Sequence, residues 1–129
     1  MIQRMQGLHL TADLRGCPAT AAVMNEPAAL RGLCLQAVAQ AGLLAVGELF
    51  HRFPAPGGVT GVVLLAESHL AVHTWPESGL VTLDVFVCNV GVDNSDRAHA
   101  LMDALIRGFE PASVHRQAVR RGTALTAST

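Results

Sequence analysis

Between residues 67 and 88 the chain concentrates groups that could do chemistry. Glu67-Ser68-His69-Leu70-Ala71-Val72-His73-Thr74-Trp75-Pro76-Glu77 is followed closely by Asp84-Val85-Phe86-Val87-Cys88. A hydroxyl, two imidazoles, carboxylates, an indole and a thiol are therefore close in sequence. Across a hairpin, with strands ~4.8 Å apart, such groups can converge on one patch. Three chemistries compete on the residues alone. A hydrolase triad needs a serine on a strained turn, and no GxSxG elbow surrounds Ser68. A zinc site could draw on His51, His69, His73 and Cys88, although their spacing matches no established ligand signature. The third reading is a half-buried strand whose polar residues face water. Against it, His69, Ala71 and His73 fall on one strand face and Leu70, Val72 and Thr74 on the other, which lines up two histidines.

The elements that must hold these groups can be read from periodicity. Residues 7–14 alternate, with Leu8, Leu10, Ala12 and Leu14 inward and His9, Thr11 and Asp13 outward, as in a half-buried strand. Asn25-Glu26-Pro27 opens a helix that carries Leu30, Leu33, Cys34, Ala37, Val38 and Ala41 at helical spacing and stops at Gly42. Strands are predicted over residues 44–53, 59–66, 70–75 and 80–87, with Pro54-Ala55-Pro56-Gly57-Gly58 and Pro76-Glu77-Ser78-Gly79 as turns. A second helix starts at Asn94 or Ser95 and turns Ala98, Leu101, Met102, Leu105 and Ile106 inward. A last strand covers residues 113–119, and 123–129 are expected to fray. The order strand, helix, four strands, helix, strand predicts an α+β two-layer sandwich, a mostly antiparallel sheet with two helices on one face. Its other face stays bare, the natural place for dimer contact.

Composition narrows the partners. A chain of 129 residues fits a single domain, which at this size buries roughly two thirds of its surface. Half of the residues are apolar and only 15% charged, so some apolar surface is expected to meet another subunit. A net charge of -1 with nine scattered basic residues gives no footprint for nucleic acid. His115-Arg116 and Arg120-Arg121 read as the solvated face of a strand. The longest uncharged stretch, residues 32–47, contains Gln36, Gln40 and Gly42 and falls short of a membrane span. The opening residues lack the apolar run of a signal peptide, so a cytoplasmic location is expected. Cys17, Cys34 and Cys88 are odd in number and match no metal or redox spacing; free thiols follow, the first two as packing residues.

The segment from Glu67 to Glu77 resembles the processing segment of the prokaryotic S-adenosylmethionine decarboxylase proenzymes. Gly7-Leu8-His9-Leu10-Thr11-Ala12-Asp13-Leu14-Arg15-Gly16-Cys17 resembles the family's opening strand, Phe50-His51-Arg52-Phe53 its second-strand motif, and Asp84-Val85-Phe86-Val87-Cys88 its catalytic-cysteine motif. The likeness runs over about residues 7–110 in order. It implies cleavage between Glu67 and Ser68 into fragments 1–67 and 68–129, with Ser68 becoming a covalent pyruvoyl cofactor that forms a Schiff base with the substrate amine. It also implies that His73 assists processing, that Cys88 donates the proton after decarboxylation, and that Thr60 supports processing. Phe53 and Trp75 match rings that stack adenine, and Glu77 an acid that holds ribose hydroxyls. The implied activity makes decarboxylated S-adenosylmethionine for spermidine synthesis, in a homodimer with sites near the subunit interface, and no metal is implied.

Departures from the family pattern bear on this. Thr60 stands where the family usually has serine, and processing is expected to survive the added methyl. Ser78 and Leu80 replace the family's tyrosines, and the loop at residues 54–58 is one residue longer. Arginine or ornithine is therefore kept as an alternative substrate, and a non-catalytic or metal-binding homologue as a further alternative.

Overall fold

The computed structural model describes residues 6–122; residues 1–5 and 123–129, which include the tail expected to fray, lie outside the described residues. Six strands form one sheet: β1 (Gly7–Arg15), β2 (Ala45–Arg52), β3 (Val59–Leu65), β4 (Ser68–Trp75), β5 (Leu80–Cys88) and β6 (Ser113–Arg121). Their spatial order is β2-β3-β4-β5-β1-β6, and each neighbouring pair is antiparallel. The helices are α1 (Ala22–Asn25), α2 (Pro27–Gln40) and α3 (Ser95–Phe109). The α+β sandwich read from the sequence is therefore present, with a one-turn helix, α1, in addition to the two expected.

Period-two alternation divides the sheet cleanly. Leu10, Ala12, Leu14, Val63, Leu70, Val72, Val81, Leu83, Val85 and Val87 are buried beneath Leu30, Cys34 and Val38 of α2 and Leu101, Met102 and Leu105 of α3. Residues between them in the strands turn to the helix-free face. The ends of α2 follow from its sequence: Pro27 occupies the first turn, where its missing N–H costs nothing. Gly42, at φ 78°, stops it with a Schellman pair, its N–H reaching the Ala39 carbonyl and that of Leu43 the Val38 carbonyl. Glu26, not Asn25, is the N-cap of α2 and makes no capping bond; Asn25 instead donates to the Ala19 and Ala21 carbonyls.

β4 begins two residues before its predicted start, because the β3–β4 connection is only Ala66 and Glu67, with Leu65 paired to Ser68. Ser68 and His69 thus belong to the strand. At the other end of β4, buried Thr74 pins the layers together: its Oγ accepts the Val59 N–H at 2.9 Å and donates to the Met24 carbonyl at 2.8 Å. No helix among the described residues is long and apolar enough to cross a membrane.

Thr74→Val keeps the shape and strands two buried backbone groups, so unfolding free energy should fall by about 2 to 4 kcal/mol. Urea denaturation checks this, and a loss below about 1 kcal/mol would show that the pin is dispensable.

Candidate active site

The predicted site residues separate into two groups at opposite ends of β4; His69, His73 and Cys88 lie on the helix-free face, whereas Ser68, paired with buried Leu65, begins β4 on the alternation of Leu70 and Val72. The first surrounds the β3–β4 turn. Ser68 leads β4 directly after Glu67, and its Oγ accepts the backbone N–H of Cys88 at 3.2 Å. That is the one hydrogen bond of the hydroxyl among the described residues, and it leaves the hydroxyl proton free. The Cys88 carbonyl accepts from Asn94 Nδ2 at 2.9 Å, and Asn89 Oδ1 accepts the Asn94 N–H at 2.8 Å. Cys88 is therefore held through both of its backbone groups. Asn94 or Ser95 was expected to start α3; Asn94 occupies the N-cap, but its Nδ2 donates to Cys88 and its Oδ1 accepts from Arg97 Nη1 at 2.8 Å, and the helix start makes no side-chain cap bond from it.

Behind this end lies a row of rings. His69 stacks on Phe86 with centroids 5.6 Å apart, and His9 meets Phe86 edge-on at 6.3 Å. Phe86 lies so close over Gly7 that a Cβ there would come within 2.6 Å of the ring, which accounts for glycine at the start of β1. His9 Nε2 is 3.1 Å from Asp84 Oδ1, while Arg121 Nη1 lies 3.5 Å from His9 Nδ1. A guanidinium can only donate, so Nδ1 accepts and Nε2–H donates to the carboxylate. This His9–Asp84 pair was not singled out from sequence. Its signal was the coincidence of two outward-facing polar residues on strands that proved to be neighbours.

The second group occupies the opposite end. Thr60 and His73 are cross-strand partners, with Thr60 Oγ1 3.0 Å from His73 Nδ1. Trp75 stacks on His73 at 5.9 Å, and Phe53 meets His51 edge-on at 4.7 Å. Glu77 is exposed in the 3-10 turn Pro76–Ser78 that follows β4. Five residues separate Ser68 from His73 along one strand; at ~3.3 Å per residue their backbones stand about 16 Å apart. The expected convergence on one patch is therefore not met within one chain. The candidate zinc ligands are split in the same way, and among the described residues no three His, Cys, Asp or Glu side chains gather as a metal site.

Comparison with known proteins decides the family. The family model for S-adenosylmethionine decarboxylase matches residues 8–122. An S-adenosylmethionine decarboxylase proenzyme of Aquifex aeolicus is 40% identical over 116 residues, covering 90% of this chain and 81% of the relative. The chain belongs to the S-adenosylmethionine decarboxylase family. A Moorella thermoacetica proenzyme of that family is 36% identical over 119 residues, covering 92% and 90% of the two chains. The crystal structure of the Aquifex aeolicus adenosylmethionine decarboxylase superposes with a TM-score of 0.81 at 36% identity, covering 94% of each chain. Within this decarboxylase family fold, Ser68 and Cys88 lie together through the Cys88 N–H bond to Ser68 Oγ, and Thr60 and His73 lie together as cross-strand partners.

The three thiols are free and differ in accessibility. Burial, and secondarily the nearby Glu48 carboxylate, push Cys34 up to about 12, and burial raises Cys17. Cys88 is only half-buried. Because the thiolate is the reactive form, iodoacetamide at pH 8 should add to one residue of the native protein, Cys88, with the other two labelled only on unfolding. Peptide mapping checks this; first labelling at Cys34 would contradict it.

Proposed function

We propose that this chain is made as a precursor, cuts its own backbone between Glu67 and Ser68, and then decarboxylates S-adenosylmethionine. The observation that carries the reading is the Ser68 hydroxyl held at the Cys88 backbone, directly after the turn, in a chain of this family. Oγ attacks the Glu67 carbonyl carbon, the C–N bond breaks and the hydroxyl proton passes to nitrogen, leaving an ester. Removal of the Ser68 α-proton then breaks the ester C–O bond, releasing the Glu67 carboxylate and a dehydroalanine-type end. Water replaces nitrogen, ammonia departs, and residue 68 ends fragment 68–129 as a pyruvoyl group. The residues fit that group: its parent serine lies at a strand end with a backbone donor fixed beside it. Such a group condenses with the substrate amine and takes up the electron pair that carbon dioxide leaves behind.

Proton handling falls to this chain's own residues. Cys88, adjacent to Ser68, is the acid that returns a proton to the substrate carbon, a task for which a thiol's acidity can be tuned by its neighbours. His73 is the base in processing. Its Nδ1 is engaged by Thr60, which supports processing by fixing the ring, and Nε2 is left to act. Phe53 and Trp75 present ring faces for an adenine, and Glu77 a carboxylate for ribose hydroxyls. All three belong to the His73 end.

One copy cannot bring His73 to Ser68, so the proposal includes a homodimer. A two-fold axis through the bare face exchanges its ends and sets the Thr60–His73 end of one copy over the Ser68–Cys88 end of the other. The exposure of Leu49 (70%), Leu64 (51%) and Val119 (48%) on that face supports a covered surface. The product would supply the aminopropyl group for spermidine synthesis, in the cytoplasm. No nucleic-acid or membrane partner is part of the reading.

The unsubstituted chain should run as two fragments on a denaturing gel, and Ser68→Ala as one band near 13.5 kDa. A single band for the unsubstituted protein would sink the proposal. Cys88→Ala should still be cut but lose about 10² to 10⁴-fold in carbon dioxide release. Release should require S-adenosylmethionine; turnover of arginine or ornithine instead would overturn the substrate assignment.

A further inference from the structure

The two-residue connection between β3 and β4 is built against its own preference. Two-residue hairpin loops favour turns with positive φ at both central residues or at the first, because those follow the twist of the strands. Here the first central residue, Ala66, is not in that region, and the second, Glu67, has φ 58°. The left-handed torsion thus falls on a residue with a Cβ and a long side chain, a conformation non-glycine residues seldom adopt. Elsewhere the chain meets this demand with glycine, as at Gly16, Gly42, Gly58 and Gly79. The other non-glycine case, Glu110 at φ 48°, caps the C-terminus of α3, where a left-handed residue is ordinary. Glu67 stands at no helix end and is exposed, with no side-chain hydrogen bond among the described residues.

We propose that the Ala66–Glu67 turn is a strained spring, and that the backbone conformation of Glu67, not its carboxylate, speeds processing. This rests on the reading that Glu67–Ser68 is the bond cut. In the intact chain the Glu67 carbonyl carbon reaches the Ser68 Cα through nitrogen. In the ester the path runs through Oγ and Cβ and is one bond longer, so the turn begins to relax in the first step. Scission completes the release: the Ser68 end stays with β4, and Glu67 is free to leave the left-handed region. Glu67 is in this sense a positioning residue.

The test compares Glu67→Asn and Glu67→Gly with Glu67→Gln. All three lack the charge, but only asparagine and glycine accept positive φ readily. In cell-free synthesis of the full chain, followed on gels, the Asn and Gly variants should be cut about tenfold more slowly than the Gln variant. With Ser68→Ala added so that the chain stays whole, Glu67→Asn should melt at a higher temperature than Glu67→Gln. Equal or faster cutting of the Asn and Gly variants, or no gain in melting temperature, overturns the spring while leaving the proposed function standing. If the unsubstituted chain is not cut at this bond at all, both fall.

Discussion

The rigid rise of β4 is the constraint on which everything else depends. A strand cannot fold back on itself, so Ser68 and His73 stand about 16 Å apart however the surrounding residues pack. Antiparallel pairing transmits that separation to the whole sheet: Cys88 of β5 stays with Ser68, and Thr60 of β3 stays with His73. In the proposed reading the two ends of β4 thus carry two half-sites, Ser68 and Cys88 at one and His73, Phe53, Trp75 and Glu77 at the other. The homodimer proposed above would turn this separation into a complete site, and the helices on the opposite face leave the sheet open for it.

Within each half the fold removes freedom where chemistry needs it. Cys88 is fixed by Ser68 on one side and by Asn94 Nδ2 on the other, while Asn94 Oδ1 accepts from Arg97. At the far end of the strand Thr74 ties β4 to β3 and to α1 through Met24. β4 is thereby anchored near one end while its other end bears the turn, so strain in the turn meets a fixed strand instead of dissipating along it. The His9–Asp84 pair adds a satisfied polar contact to a face that a second sheet would otherwise desolvate.

Much of this was legible in the residues. Alternation along β1, β4 and β5 assigned each side chain to the helix face or the bare face, and Gly42 marked the end of α2. The motifs around Ser68 and Cys88 placed the chain in its family before any coordinates. What the residues hid lay in short or unmarked segments. The β3–β4 turn contains no Gly, Asn or Pro, so β4 appeared to start later than it does. α1 is a single turn, too short to show a period. β6 runs two residues beyond its apolar signal, far enough for Arg121 to approach His9. The division into two half-sites could have been found from strand rise alone, since the five-residue interval between Ser68 and His73 is visible in the sequence.

The most direct test of two copies completing one site is complementation. Ser68→Ala and differently tagged His73→Ala chains are made separately and together, and the mass of each chain is then measured. Alone, the first should stay whole and the second should be cut poorly. Together, the His73→Ala chain should be cut at Glu67–Ser68 and carry a pyruvoyl end, because its Ser68 faces the intact imidazole of the other copy. A His73→Ala chain that stays whole in the mixture, or that is cut just as fast by itself, would contradict the account.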